Sequence, residues 1–320
     1  MVEYLGLGGD DLVVEAASND GSLLKCYRDE GVRTLGVEPA RNIAAIARGE
    51  GIETIDEFFN VETARRVRTS HGPAAAVVGN NVLAHVDDTQ GFLAGFKTLL
   101  SEEGMGITEA PYLREFVDRL EYDTVYHEHL CYFSVTTLAR LCESVGLTIQ
   151  RVDHVPVHGG SLRMYAGHVE RYADHADAVK RLIEEEHAAG LSEFGTYERF
   201  AAGVKANREA LRGLLTELKN GGHTVAGYGA PAKGNTLLNY CGIDANLVEY
   251  TVDRSPKKVG LMTPGMHIPV VDADALLKRQ PDYTLLLAWN FADEIMKQQQ
   301  AYRDAGGRFI VPIPEPKVIE

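Results

Sequence analysis

The stretch that decides the fold covers residues 11–31 and reads DLVVEAASNDGSLLKCYRDEG. It begins with a short apolar run rich in valine, which is typical of a buried strand. The residues SNDG then form a turn, and the remainder has a helical periodicity that ends at a glycine. The stretch therefore predicts a strand, a turn and a helix in succession.

The same alternation continues along the chain. A second apolar strand covers residues 34–39, with Glu38 near its end, and the helix after it stops at Gly51. Two parallel strands joined by a helix make a right-handed crossover, which opens a parallel, doubly wound sheet. Residues 74–86 predict a further central strand that runs into a polar turn, and the alternation reaches about Leu147.

The pattern changes twice in the second half of the chain. Residues 173–218 are rich in charge and helical in periodicity, without a strand-like run, so they predict a helical connector. After residue 221 strands and helices alternate again. We therefore predict an α/β domain at 1–168, a helical connector at 169–220 and a second, smaller α/β domain at 221–320.

The composition excludes several classes of protein. The 320 residues carry a formal net charge of −14, which argues against binding to nucleic acid or to an anionic membrane surface. The four cysteines lack the spacing of a zinc knuckle or of a disulfide framework. The sequence has no apolar run of the roughly 20 residues that a spanning helix needs, and no signal pattern. We expect a cytoplasmic protein with a small-molecule partner, and the sequence predicts no oligomeric state.

The turn after the first strand differs from a dinucleotide-binding turn, in which the pattern G-x-G-x-x-G receives a pyrophosphate. The turn carries instead Glu15, Ala17, Asn19, Asp20 and Gly21. Carboxylates repel a pyrophosphate but suit a ligand with an amino group, a sulfonium charge and ribose hydroxyls, and Glu38 is placed to accept from a ribose. The turn favours S-adenosylmethionine over a dinucleotide. An ordinary turn with an aspartate helix cap is the alternative.

Residues 121–134, EYDTVYHEHLCYFS, concentrate tyrosine and histidine where a core strand would carry Val, Ile and Leu, so we expect the functional centre there. We expect no metal site, because His127 and His129 are two residues apart and the helical metalloprotease motif needs a spacing of four. In an extended segment Tyr126 and Glu128 would face away from the two histidines, and only a turning backbone would bring all of them to one site.

Seven motifs follow one another along the chain: VEAASNDGSLL (14–24), LGVEPA (35–40), NNVLAHVDD (80–88), DTVYHEHLCYFS (123–134), HGGSLRMY (158–165), GYGAPAKGN (227–235) and VPIPEP (311–316). Together they resemble the S-adenosylmethionine-dependent sugar C-methyltransferases of deoxysugar and antibiotic biosynthesis, which act on nucleotide-linked keto-sugars. The motifs stand in family order across essentially the whole chain, so coincidence is implausible.

The resemblance implies a class I methyltransferase domain with a Rossmann-like parallel sheet at 1–168, and a C-terminal Rossmann-like domain at 221–320 that helps to hold the nucleotide sugar. It adds Asn80 and Asn81 to the residues expected to bind S-adenosylmethionine. Similar proteins begin with a zinc-binding, cysteine-rich segment and a tyrosine-containing stretch that closes over the substrate, and this chain starts immediately before the first strand. The alternative is therefore a catalytically impaired or non-catalytic protein that binds S-adenosylmethionine and a nucleotide sugar.

C-methylation next to a ketone requires a base for the α-proton, a donor for the enolate oxygen and a methyl group held in line. The resemblance implies that Tyr126, Glu128, His129 and His85 face the sugar. We predict that His129 is the general base, because imidazole is well suited to take a proton near neutral pH, and that Glu128 orients it or shares the proton. Tyr126 and His85 are then the donors to the enolate oxygen, although the base and donor roles remain exchangeable.

The later motifs predict a phosphate and substrate clamp. The glycines of GYGAPAKGN lie between a strand and a helix, so backbone N–H groups and Lys233 are expected to meet a diphosphate, although a glycine-rich turn with a solvated lysine has the same pattern. His158 and Arg163 of HGGSLRMY are further candidates, the arginine for binding phosphate or for bracing the site. Tyr228 and Asn235 are expected to face the sugar or the nucleotide base.

Two further expectations concern the second domain. Its glycine-rich loop leaves a nicotinamide oxidoreductase as a third hypothesis, which the acidic first turn disfavours. Trp289, the only tryptophan, follows an apolar strand and is expected in the core.

Overall fold

The computed structural model describes residues 1–157 and 159–319. The chain forms two compact units, each built around one sheet. The first unit consists of Met1–Arg114 and Leu130–Ser192, and the second of Glu115–His129 and Glu193–Glu320. The second unit therefore contains a short excursion of the chain, residues 115–129, that is enclosed in sequence by the first.

The sheet of the first unit is mixed and mainly parallel. Its strands are β1 (Leu12–Ala16), β2 (Arg33–Val37), β3 (Thr54–Ile55), β4 (Ala74–Asn80), β5 (Leu100–Pro111), β6 (Leu147–Val155) and β7 (Ser161–His168). They lie in the order β3-β2-β1-β4-β5-β7-β6, and only β7 runs against its neighbours. The predicted strand, turn and helix at residues 11–31 and the parallel sheet that they open are confirmed.

The sheet of the second unit is smaller. Its strands are β8 (Val225–Tyr228), β9 (Thr251–Asp253), β10 (Val270–Asp272), β11 (Tyr283–Leu286), β12 (Arg308–Val311) and β13 (Lys317–Ile319). The order is β10-β9-β8-β11-β12-β13, in which only β13 is antiparallel to its neighbour. This order reverses between β8 and β11, as it does in Rossmann-like sheets, so the predicted second α/β sheet is confirmed.

Fourteen α-helices connect the strands in the described part of the chain. They are α1 (Val2–Leu5), α2 (Ser22–Asp29), α3 (Arg41–Gly49), α4 (Val61–His71), α5 (Thr89–Leu99), α6 (Leu113–Asp118), α7 (Val135–Ser144), α8 (Val169–Tyr172), α9 (Asp177–Ala188), α10 (Phe194–Asn220), α11 (Ala232–Cys241), α12 (Ala275–Arg279), α13 (Ala292–Gln298) and α14 (Gln300–Asp304). No helix of the described residues is both long enough and apolar enough to cross a membrane.

Both faces of the first sheet are covered, which explains the nearly continuous apolar strands. On β1, Leu12 and Val14 join one buried cluster with Phe96, whereas Val13 joins a cluster on the opposite face with Leu24. Side chains alternate between the faces of a strand, so a strand buried on both sides cannot show a polar alternation. Glu15 is the exception on β1, because it is an acidic residue and yet is buried, with only 7% of it exposed.

The predicted helical stretch at 173–218 contains no strand, but its helices belong to different cores. In the first unit α9 packs against α7 and β6, and in the second unit α10 packs against α11 and β8. The compact units therefore divide between residues 192 and 193, not at the predicted borders 168 and 220. The charge-rich sequence did not show this, because each helix buries only a narrow apolar stripe.

A buried side chain from α9 caps the N-terminus of α7. Glu186 of α9 is 1% exposed, and its Oε1 accepts a hydrogen bond of 2.6 Å from the Val135 backbone N–H. Its Oε2 accepts from the Thr136 backbone N–H at 2.8 Å and from the Thr136 hydroxyl at 2.6 Å. These donors have no partner within the helix, and the carboxylate also lies at the positive end of the helix dipole.

We expect Glu186→Gln to lower the free energy of unfolding by about 2 kcal/mol, because the amide nitrogen of glutamine cannot accept from a backbone N–H. The matched control is Glu184→Gln on the exposed side of the same helix, which should change the free energy of unfolding by less than about 0.5 kcal/mol. Urea denaturation of both variants measures the difference. Equal stability of the two variants would show that Glu186 does not cap α7.

Candidate active site

The turn after β1 has an unusual backbone. Ala17 and Asn19 have φ values of 56° and 52°, and Gly21 has a φ of 76°. A Cβ at residue 21 would lie 3.0 Å from the Ile52 side chain, so glycine is required both by conformation and by space. The turn is held by Glu38, whose Oε2 accepts from the Asn19 N–H at 3.0 Å.

Asp20 bonds to the first residue of α2. Its Oδ1 accepts from the backbone N–H of Ser22 at 3.1 Å and from the Ser22 hydroxyl at 2.6 Å. These hydrogen bonds lower the pKa of the exposed Asp20 carboxyl. The alternative prediction, an aspartate N-cap, is not confirmed, because the N-cap residue of α2 is Gly21 and Asp20 precedes it.

Four buried side-chain oxygens of this region have no hydrogen-bond partner among the described residues. Besides the Ser18 hydroxyl they are the acceptors Oε2 of Glu15, Oδ1 of Asn80 and Oδ1 of Asn81. Glu15 lies near the carboxyl end of β1, Asn80 ends β4, and Asn81 follows it with a φ of 54°. The carboxyl ends of parallel strands meet at one edge of a sheet, so these acceptors belong to the same edge as Glu38.

Glu15 is the most perturbed acid of this edge. Burial, with the charges of Asp20 and Glu38, raises the pKa of Glu15 to about 8 from an ordinary value of 4.5. The carboxyl is therefore mostly protonated at neutral pH in the free protein. A cation placed beside it would favour the charged form and lower this pKa.

The tyrosine- and histidine-rich segment is not a strand. Residues Tyr122–Thr124 form a 3-10 turn, and the chain turns again before His129. The Tyr126 and His129 rings face each other with centroids 4.3 Å apart, and the Tyr126 Oη lies 3.2 Å from His129 Nε2. The turning backbone that the prediction required is present, and it brings together two of the predicted catalytic residues.

The contacts of His129 decide its tautomer. Nδ1 lies 2.9 Å from the backbone carbonyl of Thr124, which can only accept a hydrogen bond. The proton of the neutral ring is therefore on Nδ1, and the lone pair of Nε2 accepts from the Tyr126 hydroxyl. Burial, with the charges of Glu128 and Asp123, raises the pKa of Tyr126, so the phenol keeps its proton at neutral pH.

The group at His129 Nδ1 is a backbone oxygen and not Glu128. The Glu128 side chain is exposed, and a turn brings the carbonyl of Thr124, five positions before His129, onto Nδ1. The orienting role of Glu128 stays a prediction. His85 belongs to the first unit, where it ends the 3-10 turn Leu83–His85 and is exposed.

Arg163 braces the first sheet. Its Nε and Nη2 donate to the same oxygen, Oε2 of Glu109, at 3.1 and 2.8 Å. The Glu109 side chain is 6% exposed, and its Oε1 accepts from Asn81 Nδ2 at 3.2 Å. Of the two roles predicted for Arg163, the structure supports bracing, because the guanidinium neutralises a buried carboxylate that holds the end of β4.

The Lys233 side chain is mostly buried, with 12% of it exposed. Its Nζ donates to Asn290 Oδ1 at 3.3 Å, lies 3.9 Å from Asp123 Oδ2 and is 4.0 Å from the centre of the Trp289 ring. Burial lowers the pKa of Lys233 and raises that of Asp123, so desolvation outweighs the attraction between the two charges. The diphosphate role predicted for Lys233 is not supported by these contacts, because the side chain already serves an internal acid.

The remaining predicted substrate residues have mixed environments. Tyr228 ends β8, is 5% exposed and accepts a hydrogen bond of 3.2 Å from Gln299. Asn235 donates from Nδ2 to the Pro231 carbonyl at 3.2 Å, while its Oδ1 is buried without a partner among the described residues. His158 lies outside the residues that the structure describes. The binding roles of all three stay predictions.

The sequence did not single out the acids that surround Lys233. Asp123 is completely buried and accepts a hydrogen bond of 2.7 Å from Trp289 Nε1, so the tryptophan predicted for the core also carries a polar contact. Burial raises the pKa of Glu121 to about 7. The only available signal was the presence of two acids within the tyrosine- and histidine-rich segment. Among the described residues no group of three or more His, Cys, Asp and Glu side chains is arranged to hold a metal ion.

Comparison with known proteins assigns the family. Residues 6–152 match the family described as Methyltransferase domain, and residues 156–314 match the C-methyltransferase C-terminal domain. The C-methyltransferase NovU of Streptomyces niveus is 41% identical over 318 residues, which are 99% of this chain and 76% of that protein. The chain belongs to the S-adenosylmethionine-dependent C-methyltransferase family.

The solved structures that the chain matches are more distant in sequence. The magnesium protoporphyrin IX methyltransferase of Synechocystis PCC 6803 with bound S-adenosylmethionine is 14% identical, with a TM-score of 0.39 over 52% of this chain and 74% of that chain. A Burkholderia thailandensis methyltransferase, 1,6-didemethyltoxoflavin-N1-methyltransferase with S-adenosylhomocysteine, is 20% identical, with a TM-score of 0.40 over 52% and 74% of the two chains.

The C-methyltransferase thus has the predicted fold class, a class I Rossmann-like sheet and a second α/β sheet, and S-adenosylmethionine is its cofactor. The residues at the carboxyl edge of the first sheet fit this cofactor. The unpartnered oxygens of Glu15, Asn80 and Asn81 are acceptors, and S-adenosylmethionine brings an amino group, hydroxyl donors and a positive charge. A pyrophosphate would bring only acceptors and negative charge to the same edge.

We expect Glu15→Gln to stabilise the C-methyltransferase above pH 5. The folded protein retains the Glu15 proton between the ordinary pKa of 4.5 and the raised pKa of about 8, whereas the unfolded chain releases it. The free energy of unfolding of the native protein therefore falls through this window as the pH rises, and glutamine removes that loss. The gain should be on the order of 2 to 3 kcal/mol at pH 7, measured by urea denaturation at pH 5, 7 and 8.5.

The same variant should also lose the pH dependence of cofactor binding that Glu15 contributes. Calorimetric titration with S-adenosylmethionine should show affinity rising with pH more steeply in the native protein than in Glu15→Gln, because only the ionised carboxylate attracts the cation. Titration of the cofactor itself affects both proteins equally. Parallel pH profiles would mean that Glu15 does not face the cofactor.

Proposed function

We propose that this C-methyltransferase methylates the carbon next to the ketone of a nucleotide-linked keto-deoxysugar, with His129 as the general base. The geometry of Tyr126 and His129 carries the proposal. A carbon next to a ketone becomes a nucleophile only when it loses a proton, so the enzyme needs a base whose lone pair is defined. The contact between Nδ1 and the Thr124 carbonyl supports that role, because it leaves the lone pair on Nε2.

In the proposed reaction Nε2 of His129 accepts the α-proton, and the imidazolium that results keeps its Nδ1–H on the Thr124 carbonyl. The Tyr126 hydroxyl, which donates to Nε2 at 3.2 Å in the resting protein, is then released from that acceptor. We propose that it donates to the oxygen that becomes an enolate. The raised pKa of Tyr126 supports this role, because the phenol remains a donor at neutral pH.

We assign a second donor to the enolate oxygen, His85, on the basis of its position in the motif NNVLAHVDD. For Glu128 we propose only that it helps to release the proton from the site, since its side chain is exposed and can pass a proton to water. The reverse assignment, in which Tyr126 takes the α-proton and His129 accepts from the phenol, uses the same hydrogen bond. Both assignments require His129 for exchange of the α-proton.

We propose that S-adenosylmethionine is held at the edge lined by Glu15, Glu38, Asn80 and Asn81. When bound, it supplies an electrophilic methyl group to the deprotonated carbon. Glu38 already fixes the turn through the N–H groups of Asn19 and Ala40, at 3.0 and 2.8 Å, so the edge is preformed. Glu109 bonds to Asn81 and is itself bonded to Arg163, which supports a fixed position for Asn81.

The nucleotide is proposed to bind to the second sheet, where the strand order reverses between β8 and β11. Ligands of open α/β sheets bind at such a point, outside the carboxyl ends of the strands. Tyr228 ends β8 there, and Gly229, with a φ of 89°, begins the loop to α11. We therefore assign recognition of the nucleotide to this loop and to Asn235, rather than to Lys233.

The test is the exchange of the α-proton. A nucleotide-linked 4-keto-deoxysugar is incubated in deuterated water with the enzyme and S-adenosylhomocysteine, which fills the donor site and transfers no methyl group. We expect His129→Ala to slow the exchange by two to four orders of magnitude, roughly the range of general-base catalysis. With S-adenosylmethionine the native enzyme should yield a product that is heavier by one methyl group.

His127→Ala is the matched control, because His127 is exposed and separated from His129 by one residue. It should exchange and methylate at the native rate. If His129→Ala exchanged the proton as fast as this control, the proposed base would be wrong. If neither the native enzyme nor the control gave exchange or product, the keto-sugar would be wrong as the substrate.

A further inference from the structure

A buried acidic residue lies in the turn that carries the Thr124 carbonyl, and the proposed reaction makes no use of it. Asp123 is completely buried, and its Oδ2 accepts a hydrogen bond of 2.7 Å from Trp289 Nε1. Lys233 lies 3.9 Å from the same oxygen and stacks on the Trp289 ring. Burial of a carboxylate is costly, so this arrangement calls for a reason beyond general packing.

The hydrogen bonds of the turn fix its backbone on both sides of Asp123. Before it, the Tyr122 hydroxyl donates to Asn207 Oδ1 at 2.8 Å, and Asn207 Nδ2 donates to the Pro312 carbonyl at 2.8 Å. After it, the Thr124 backbone N–H donates to the Glu121 carbonyl at 3.0 Å, and the Thr124 hydroxyl donates to the same oxygen at 2.8 Å. The hydrogen bond from Trp289 to the Asp123 side chain is a third attachment of this turn, and it lies between those made by Tyr122 and Thr124.

The Thr124 carbonyl at the end of this turn has two donors. It accepts from the Tyr126 backbone N–H at 3.1 Å and from His129 Nδ1 at 2.9 Å. A rotation of the peptide between Thr124 and the next residue would remove the acceptor from Nδ1. The preference for the Nδ1–H tautomer would then be weaker, because the tautomer of a histidine is set by the partner of each nitrogen and Nδ1 would have lost this acceptor.

We propose that Asp123, held by the indole N–H of Trp289, is a positioning residue for His129. It anchors the turn so that the Thr124 carbonyl faces Nδ1 and the lone pair stays on Nε2. The inference rests on the proposed role of His129 as the base, and it adds two residues that never touch the substrate. Lys233 completes the arrangement, because its Nζ lies 3.9 Å from Asp123 Oδ2 and 4.0 Å from the centre of the Trp289 ring.

The test observes the tautomer directly. Nitrogen NMR of protein labelled at histidine, with the His129 signal assigned by its loss in His129→Gln, should show a protonated Nδ1 and an unprotonated Nε2 in the native enzyme. In Trp289→Phe, which keeps an aromatic ring and removes the N–H, the two nitrogens should become similar in protonation. The kcat for methyl transfer should fall about 10- to 100-fold, the scale of a small displacement of a catalytic group, while KM changes little.

The matched control is Thr284→Val in the same unit. It removes a buried hydrogen bond of 2.9 Å between the Thr284 and Tyr302 hydroxyls, which has no link to the turn. The control should lower the melting temperature and leave the His129 tautomer and kcat unchanged. An unchanged tautomer in Trp289→Phe, or an equal change in Thr284→Val, would overturn the proposal.

Asp123→Asn provides a second route if Trp289→Phe does not fold. Asparagine retains an acceptor for the indole but loses the charge that attracts Lys233, so a smaller shift of the tautomer in the same direction is expected, and no shift would contradict the proposal. The NMR measurement requires no turnover. Failure of this inference is thus separate from failure of the proposed function, which depends on proton exchange.

Discussion

The hydrogen bond between His129 Nδ1 and the Thr124 carbonyl is the interaction on which the proposed chemistry of this enzyme depends. A backbone carbonyl accepts and never donates, so this one contact assigns the proton to Nδ1 and the lone pair to Nε2. The partners are only five residues apart in sequence, yet a strand would have kept them apart. The contact exists because the backbone turns, and the turn is held by side chains from distant parts of the second unit.

Each unit contains a buried acidic side chain, and the surroundings of the two side chains differ. Glu15 lies at the carboxyl edge of the first sheet, where we propose that the cationic cofactor binds, and its Oε2 has no partner among the described residues. Asp123 lies inside the second unit, where its Oδ2 accepts from Trp289 and lies near a lysine, while its Oδ1 is likewise without a partner among the described residues. We propose a ligand for the first acid, whereas the protein itself supplies a donor and a cation to the second. Raised pKa values alone do not distinguish the two situations.

Phosphate binding was predicted for Arg163 and Lys233 from their motifs, but a motif does not predict which charge each cation meets in the fold. Arg163 bonds to Glu109, which is 54 residues away, and Lys233 lies beside Asp123 from a different part of the chain. A motif shows that a cation is present, but the charge that it meets is decided by strand order and helix packing. A buried acid attracts a cation strongly because solvent does not screen the interaction. Arg163 and Lys233 therefore lie next to the internal acids Glu109 and Asp123.

The sequence by itself determined the two α/β sheets, the acidic turn after β1 and the family. Valine-rich strands, glycine stops and ordered motifs are local signals, and each depends on residues close together in the chain. Only the tertiary structure decided the tautomer of His129, the bracing role of Arg163, and the division of the helical stretch between two cores. These features depend on which distant groups share a buried space, and periodicity along a chain carries no information about that.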